Sequence, residues 1–259
     1  MYYLKRLFFQ SISKLKFLSR ILHYIWIIYQ KIRCYFKYKL HFKLNIKISS
    51  LSDRGQDKWI IDTFNLKRKD YTGFFLEIGG GDGFCNSNTF ILEQYYNWNG
   101  ILIEPNPVLY KKLITNRPST TAFNALIYDE NKKINFKIDG ELSQILNNID
   151  AKEGHKQVIS INSMRLDELL NECNAPKMID FFSLDVEGSE EKVLTQNVLN
   201  KYKFLSLCIE RPSYNLHMKL IENNYVFIKS KIYDCFYLNR DFKNLDKIEK
   251  KKFINFDSK

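Results

Sequence analysis

Several absences narrow this chain before any motif is considered. Its five cysteines (Cys34, Cys85, Cys173, Cys208, Cys235) include no C-x-x-C pair. An odd number without metal-like spacing does not suggest a disulfide framework, so they read as free thiols in a reducing compartment. No N-x-[ST] sequon occurs despite abundant asparagine, which argues against a glycosylated lumenal domain. Residues 1–47 contain no acid but eleven Lys and Arg, and of the 40 basic and 29 acidic residues overall, 29 of each remain in 48–259. The net charge of +11 therefore belongs to the N-terminal arm. A protein that tracks a phosphate backbone spreads basic residues over its main domain, so nucleic acid is disfavoured as the partner.

Long apolar runs are also missing. The richest stretch of the arm, Ile21 to Tyr29, is nine residues and contains His23, whereas a spanning helix needs about twenty. Between Leu4 and Phe36 apolar residues recur at three- and four-residue steps, with Lys5, Lys14, Lys16, Arg20, Lys31 and Arg33 on the other faces. This pattern predicts an amphipathic helix. A basic helix of this kind, carrying Trp26, reads as lying in a membrane interface through residues 4–36. Packing on the body or on a second copy, or a short signal-anchor, is the alternative. The expected location is cytoplasmic, peripheral on a membrane. The expected organisation is an arm at 1–47, a domain at 48–240 and a charged tail at 241–259 that frays.

In the body, strand-like and helix-like runs alternate. Strands are expected at 74–78, 101–104, 121–127, 134–138, 158–161, 179–186, 204–209, 225–229 and 233–238, and helices at 58–65, 87–96, 107–116, 166–171, 189–199 and 214–223. The alternation implies βαβ units and a parallel sheet. The last two strands are joined by so few residues that they must form an antiparallel hairpin. The fold expected is α/β and Rossmann-like, with a mostly parallel twisted sheet and one antiparallel strand near the C-terminus.

Three motifs carry chemistry. In FFLEIGGGDGF (74–84) a strand holding Glu77 breaks into Gly79, Gly80, Gly81 and Gly83, where glycine permits a sharp turn and close approach of a ligand. The third glycine of a dinucleotide fingerprint is absent, since position 84 is Phe84. That disfavours NAD, while an acid before the turn suits the methionine ammonium group of S-adenosylmethionine. In GILIEPNP (100–107), Glu104 follows Gly83 by twenty-one residues, a spacing at which an acid can accept both ribose hydroxyls; capping of the next helix is the plainer alternative. In IDFFSLDVEGSEEKVL (179–194), Asp185 and Glu187 emerge where a buried strand ends.

The segments FLEIGGGDGFCNSNTFILE, GILIEPNPVLYKKL, MRLDELL and IDFFSLDVEGSEEKVL together resemble the FkbM methyltransferase domain across about residues 50–240. The resemblance is closest to a branch with a Gln-Asp pair (Gln56, Asp57) before the first strand and a Ser-Asn-Thr (Ser87, Asn88, Thr89) after the glycines. It implies an S-adenosylmethionine-dependent methyltransferase of the Rossmann-like kind, with small-molecule or glycan hydroxyls as usual acceptors. By position, Glu77, Gly79, Gly81, Asp82, Ser87, Asn88, Glu104, Asn106 and Asp185 would lie near the cofactor, and Asn124 and Ala125 would face the adenine. Many members have Ala-Asn where this chain has Gly80 and Gly81, which loosens the turn.

A hydroxyl acceptor needs a base within hydrogen-bond reach. Asp185 and Glu187 are the first choices, with Glu210 and His155 behind them. The pair Asp185 and Glu187 could instead hold Mg²⁺. His23, His41 and His217 read as structural. A rival reading is a non-catalytic, membrane-associated trafficking or scaffold protein that keeps the fold.

Overall fold

A computed structural model of the chain describes residues 48–67, 71–146 and 157–253, together with Ile25, Tyr29 and Ile32. The chain divides into two compact units, residues 1–49 and 50–259. Most of the arm, and also His155, His23 and His41, lie outside the described residues. Ile25, Tyr29 and Ile32 are helical and more than half exposed, at steps of four and three that place them on one helix face. Among the described residues no helix is long and apolar enough to cross a membrane.

The body of the second unit is a seven-stranded sheet. Its strands are β1 (Phe74–Ile78), β2 (Asn99–Ile103), β3 (Thr121–Phe123), β8 (Met178–Leu184), β9 (Lys203–Glu210), β10 (Tyr225–Lys231) and β11 (Asp234–Asn239), in the order β10-β11-β9-β8-β1-β2-β3. β1 pairs in parallel with β2 and β8, and β8 with β9. Only β11 is reversed, antiparallel to both β9 and β10. β8 lies at the centre, with Phe181 and Phe182 fully buried on its two faces, which explains why its sequence is continuously apolar rather than alternating.

The helices are α1 (Gln56–Thr63), α2 (Phe90–Tyr96), α3 (Pro107–Asn116), α4 (Leu166–Glu172), α5 (Glu190–Val193), α6 (Gln196–Lys201) and α7 (Tyr214–Glu222). α3 begins at Pro107 because Asn106 caps it, its side chain accepting from Val108 N at 3.0 Å, and proline suits the first turn. The single helix expected at 189–199 is two short ones. Thr195, extended and accepting from Val198 N with its side chain, restarts the chain as α6. The helix expected from Ser87 starts only at Phe90, because Ser87, Asn88 and Thr89 are committed to Glu77 instead.

The run 121–127 is not one strand. It divides at Asn124 and Ala125, and β4 (Leu126–Ile127) joins a second sheet with β5 (Lys133–Lys137), β6 (Gln144–Ile145) and β7 (Val158–Met164), ordered β4-β7-β5-β6. The fork is held by Asn124, whose side-chain amide donates to the carbonyls of Glu104 at 2.7 Å and Pro105 at 3.1 Å.

One further expectation is corrected. The tail does not fray over residues 240–253: Lys251 N donates to Ile228 O at 2.7 Å, and Phe253 stacks on His217 with ring centroids 3.7 Å apart. Its aromatic residue anchors it among the charges. Cys173, Cys208 and Cys235 are free thiols, as expected. His217 is structural as expected, buried with Nδ1 3.2 Å from Tyr237 Oη.

Candidate active site

The carboxyl ends of β1, β2, β3, β8 and β9 form one rim, the usual place for a ligand in an open α/β sheet. The glycine turn leaves β1 at Gly79, whose φ is +84°. A Cβ there would stand 1.8 Å from the carbonyl oxygen of Asp185, so only glycine lets β1 and β8 release their chains side by side. Gly79 N and Gly80 N both donate to Ile103 O, at 3.0 and 3.2 Å, pinning the turn to the end of β2. At Gly81 a Cβ would meet nothing within 4 Å; the space above this turn is open.

Glu77 is buried beneath the turn. It accepts from Ser87 Oγ at 3.1 Å, Asn88 N at 2.8 Å and Thr89 Oγ1 at 2.5 Å. Burial pushes its carboxyl up, offset by Thr89, Arg117, Asn88 and Ser87. Its oxygens therefore serve the loop above it. Asn88 stands nearer the rim: its Nδ2 donates to Ser183 Oγ at 2.8 Å, and its Oδ1 is a buried acceptor with no partner.

Glu104, 4% exposed, accepts from Gly81 N and Asn106 N, each at 2.8 Å. Burial raises its carboxyl to about 7 against those two N–H groups, with Glu141 and Glu77 adding to the rise. It does not cap α3; Asn106 does. Asn106 also donates to Ser143 Oγ at 3.0 Å and Gly140 O at 3.3 Å, tying the second sheet to the rim. Asp82 is taken up by its own loop, accepting from Phe84 N and Cys85 N. Ala125 packs against the core at the sheet fork.

The other half of the rim gathers carboxylates. One oxygen each of Asp185, Glu187 and Glu210 lies within 4.8 Å of the others, so three of the four expected bases come together; the fourth, His155, is outside the described residues. Crowding by protein, then Glu210, Glu187 and Asp234, pushes Asp185 well above the carboxylate range. The residue as a whole is exposed, and the carboxylates of Glu210, Glu187 and Asp234 lie close to its oxygens. Glu187 is raised by burial and by Glu210, against Arg211 and Arg54.

Two arginines that the sequence did not single out complete this rim. Arg54 Nη1 reaches Asp234 Oδ2 at 3.1 Å and Glu210 Oε1 at 3.3 Å. Arg211 lies over the Tyr233 ring at 4.2 Å and approaches Glu210 at 3.8 Å and Glu187 at 3.9 Å. Glu187 and Arg211 both have left-handed backbones, φ +54° and +43°, and strain of this kind gathers at functional sites. Arg54 is brought in by a strap, residues 50–57, knotted on fully buried Asp57. That carboxylate accepts from Ser50 Oγ, Leu51 N and Ser52 Oγ at 2.5–2.6 Å. Gln56 Nε2 donates to Asp234 Oδ2 at 3.2 Å, so the Gln-Asp pair secures the strap to β11.

A glycine turn between acid-bearing strands thus stands beside a group of carboxylates on one rim, and the family profile gives the class of protein. The profile of the methyltransferase FkbM domain matches residues 77–227, more than half of the chain, which therefore belongs to the FkbM methyltransferase family. Among solved structures, the METTL16 MTase domain is 12% identical with a TM-score of 0.43, covering 70% of this chain and 64% of that one. The N-terminal domain of human METTL16 in complex with SAH is 11% identical (TM-score 0.40, covering 70% and 66%). Precorrin-6y C5,15-methyltransferase from Geobacter metallireducens is 12% identical (TM-score 0.36, covering 70% and 89%). The chain thus spans a little under two thirds of the first of these, and the family assignment rests on the profile. No curated protein matches the chain.

Proposed function

We propose that this methyltransferase uses S-adenosylmethionine to methylate a hydroxyl of a sugar or glycan-like acceptor. The observation that carries the reading is the convergence of Asp185, Glu187 and Glu210 at the ends of β8 and β9, beside the glycine turn that touches Asp185. The residues present fit the cofactor. Gly81 leaves open space where a side chain would stand, Glu104 offers a carboxylate for the ribose, and the unpartnered Asn88 Oδ1 is an acceptor for the methionine ammonium group. Bound there, the cofactor supplies an electrophilic methyl group.

The chain's own task is to hold the acceptor oxygen in line, which can supply roughly 7–11 kcal/mol of the barrier, and to take its proton. Asp185 and Glu187, whose carboxyl groups are raised by burial and by neighbouring carboxylates, serve as the base, and Glu210 supports them. Mg²⁺ held by Asp185 and Glu187 is a second use of the same oxygens. Arg54 and Arg211 already lie on this cluster, which favours proton handling. The exposed face of Ile25, Tyr29 and Ile32, on an arm without acids in its first 47 residues, supports peripheral membrane contact.

The scaffold reading is favoured by one observation: Glu77 and Glu104 are hydrogen-bonded by the chain itself. The experiment that separates the two is transfer of labelled methyl to glycans, free sugars and lipid-linked saccharides. Transfer supports the enzyme. Cofactor binding without transfer across the whole panel favours the scaffold.

A further inference from the structure

We infer that Arg117 is the positioning residue of the methyl-donor site, its buried guanidinium fixing the Gly83–Thr89 loop against Glu77 and so aiming Asn88 at the donor. The inference rests on the reading that the chain binds S-adenosylmethionine. Arg117 follows the last residue of α3, and its side chain is completely buried. A cation removed from water is costly unless its donors are satisfied. Here Nε donates to Glu93 on α2, which balances the charge, and the fork is used on the cofactor loop: Nη1 donates to Gly83 O at 3.2 Å and Ser87 Oγ at 3.3 Å, and Nη2 to Thr89 Oγ1 at 3.4 Å.

The two hydroxyls pass this on. Ser87 and Thr89 each accept from the guanidinium and donate to the same oxygen of Glu77. Because the cation occupies their acceptor side, their protons point at the carboxylate. Asn88, held between them, has its backbone on the other oxygen of Glu77 and its side-chain amide on Ser183. What remains is Oδ1, buried and unpartnered, the acceptor a ligand ammonium would complete. Arg117 thus acts through Glu77 rather than by touching the donor. A lysine cannot reproduce this, because one ammonium cannot reach Gly83 and both hydroxyls with the geometry of a planar fork.

The test is calorimetric binding of S-adenosylhomocysteine to the full chain. Wild type binds. Arg117→Met, with a cooperative melt retained, binds at least tenfold more weakly, and Arg117→Lys does not restore binding. Arg117→Met made in Glu77→Gln weakens binding no further than Glu77→Gln alone, the non-additivity expected of residues acting in series. Thr89→Val, which keeps Arg117 and removes one hydroxyl of the relay, weakens binding several-fold; if Arg117→Met does not fold, this variant and Arg117→Lys decide. Full rescue by Arg117→Lys, additive losses, or Thr89→Val binding within twofold of wild type overturns the inference alone. Absence of binding by wild type overturns the donor assignment beneath it.

Discussion

Glu104 titrates where it can be measured, and its two roles pull in opposite directions. Burial holds its carboxyl at about 7 in place of the ordinary 4.5. A carboxyl raised on folding binds its proton more tightly in the folded state. It therefore stabilises the fold fully below pH 4.5, and that stability is lost as pH rises through about 7. The whole span corresponds to ~3 kcal/mol, of which roughly 2 kcal/mol falls between pH 5 and pH 8. Ligand binding runs the other way. If the ionised carboxylate accepts the ribose hydroxyls, only the ionised fraction is competent, about one hundredth at pH 5 and nine tenths at pH 8, so affinity should rise on the order of 100-fold. The assays are urea unfolding and calorimetry with S-adenosylhomocysteine at pH 5 to 8, on wild type and Glu104→Gln. Wild type should lose about 2 kcal/mol more than the variant across this range while gaining affinity that the variant does not. Parallel pH profiles for the two proteins in both assays would refute the reasoning.

Further outcomes are expected elsewhere. Gly79→Ala should cost about 3 kcal/mol or more in urea unfolding, since its Cβ would meet the Asp185 carbonyl at 1.8 Å, whereas Gly81→Ala, with nothing within 4 Å, should cost only about 1 kcal/mol yet weaken cofactor binding. Asp185→Asn and Glu187→Gln should each lower methyl transfer by about 10²–10⁴-fold if that residue is the base, without lowering cofactor affinity to match. Undiminished turnover in both would move the base to Glu210 or His155. Phe253→Ala should uncover His217, whose imidazole burial holds below its ordinary value, and proton NMR should show it titrating nearer 6.5; an unchanged titration would mean that the stack does not shield it. The whole chain should sediment with anionic vesicles and leave them at high salt, and retention that only detergent reverses would indicate an anchor instead.

The glycine turn, the central strand β8 and the closing hairpin were all legible in the sequence, because each is written in a few adjacent residues: Gly79 to Gly83, the apolar run to Leu184, the short link before Asp234. The division at Asn124 was not. The run from Ala122 to Ile127 is interrupted by the single polar residue Asn124, which does not by itself end a strand, and its hydrogen bonds to Glu104 and Pro105 show the fork. Arg54 was hidden for the same reason, as its partners lie 156 and 180 residues away. Arg117 is one more basic residue among 40 until its burial is known. Asp185, Glu187 and Glu210 could be named because carboxylates at strand ends are suspects in any sheet of this kind, but their approach to within 4.8 Å depends on the pairing of β8 with β9.

The Asp57 knot bears on where a shortened protein can begin. A truncation starting at residue 58 would retain every strand of both sheets, and circular dichroism would record little change. It would nonetheless remove Arg54 and Gln56, whose side chains reach Asp234 from outside the sheet, so that Asp185, Glu187, Glu210 and Asp234 would face one another without the Arg54 cation, while Arg211 stays beside Glu187 and Glu210. The same cut takes away fully buried Leu51 and Asp57. A shortened protein that keeps the rim balanced should therefore begin no later than Ser50, well upstream of the stretch that the family profile matches.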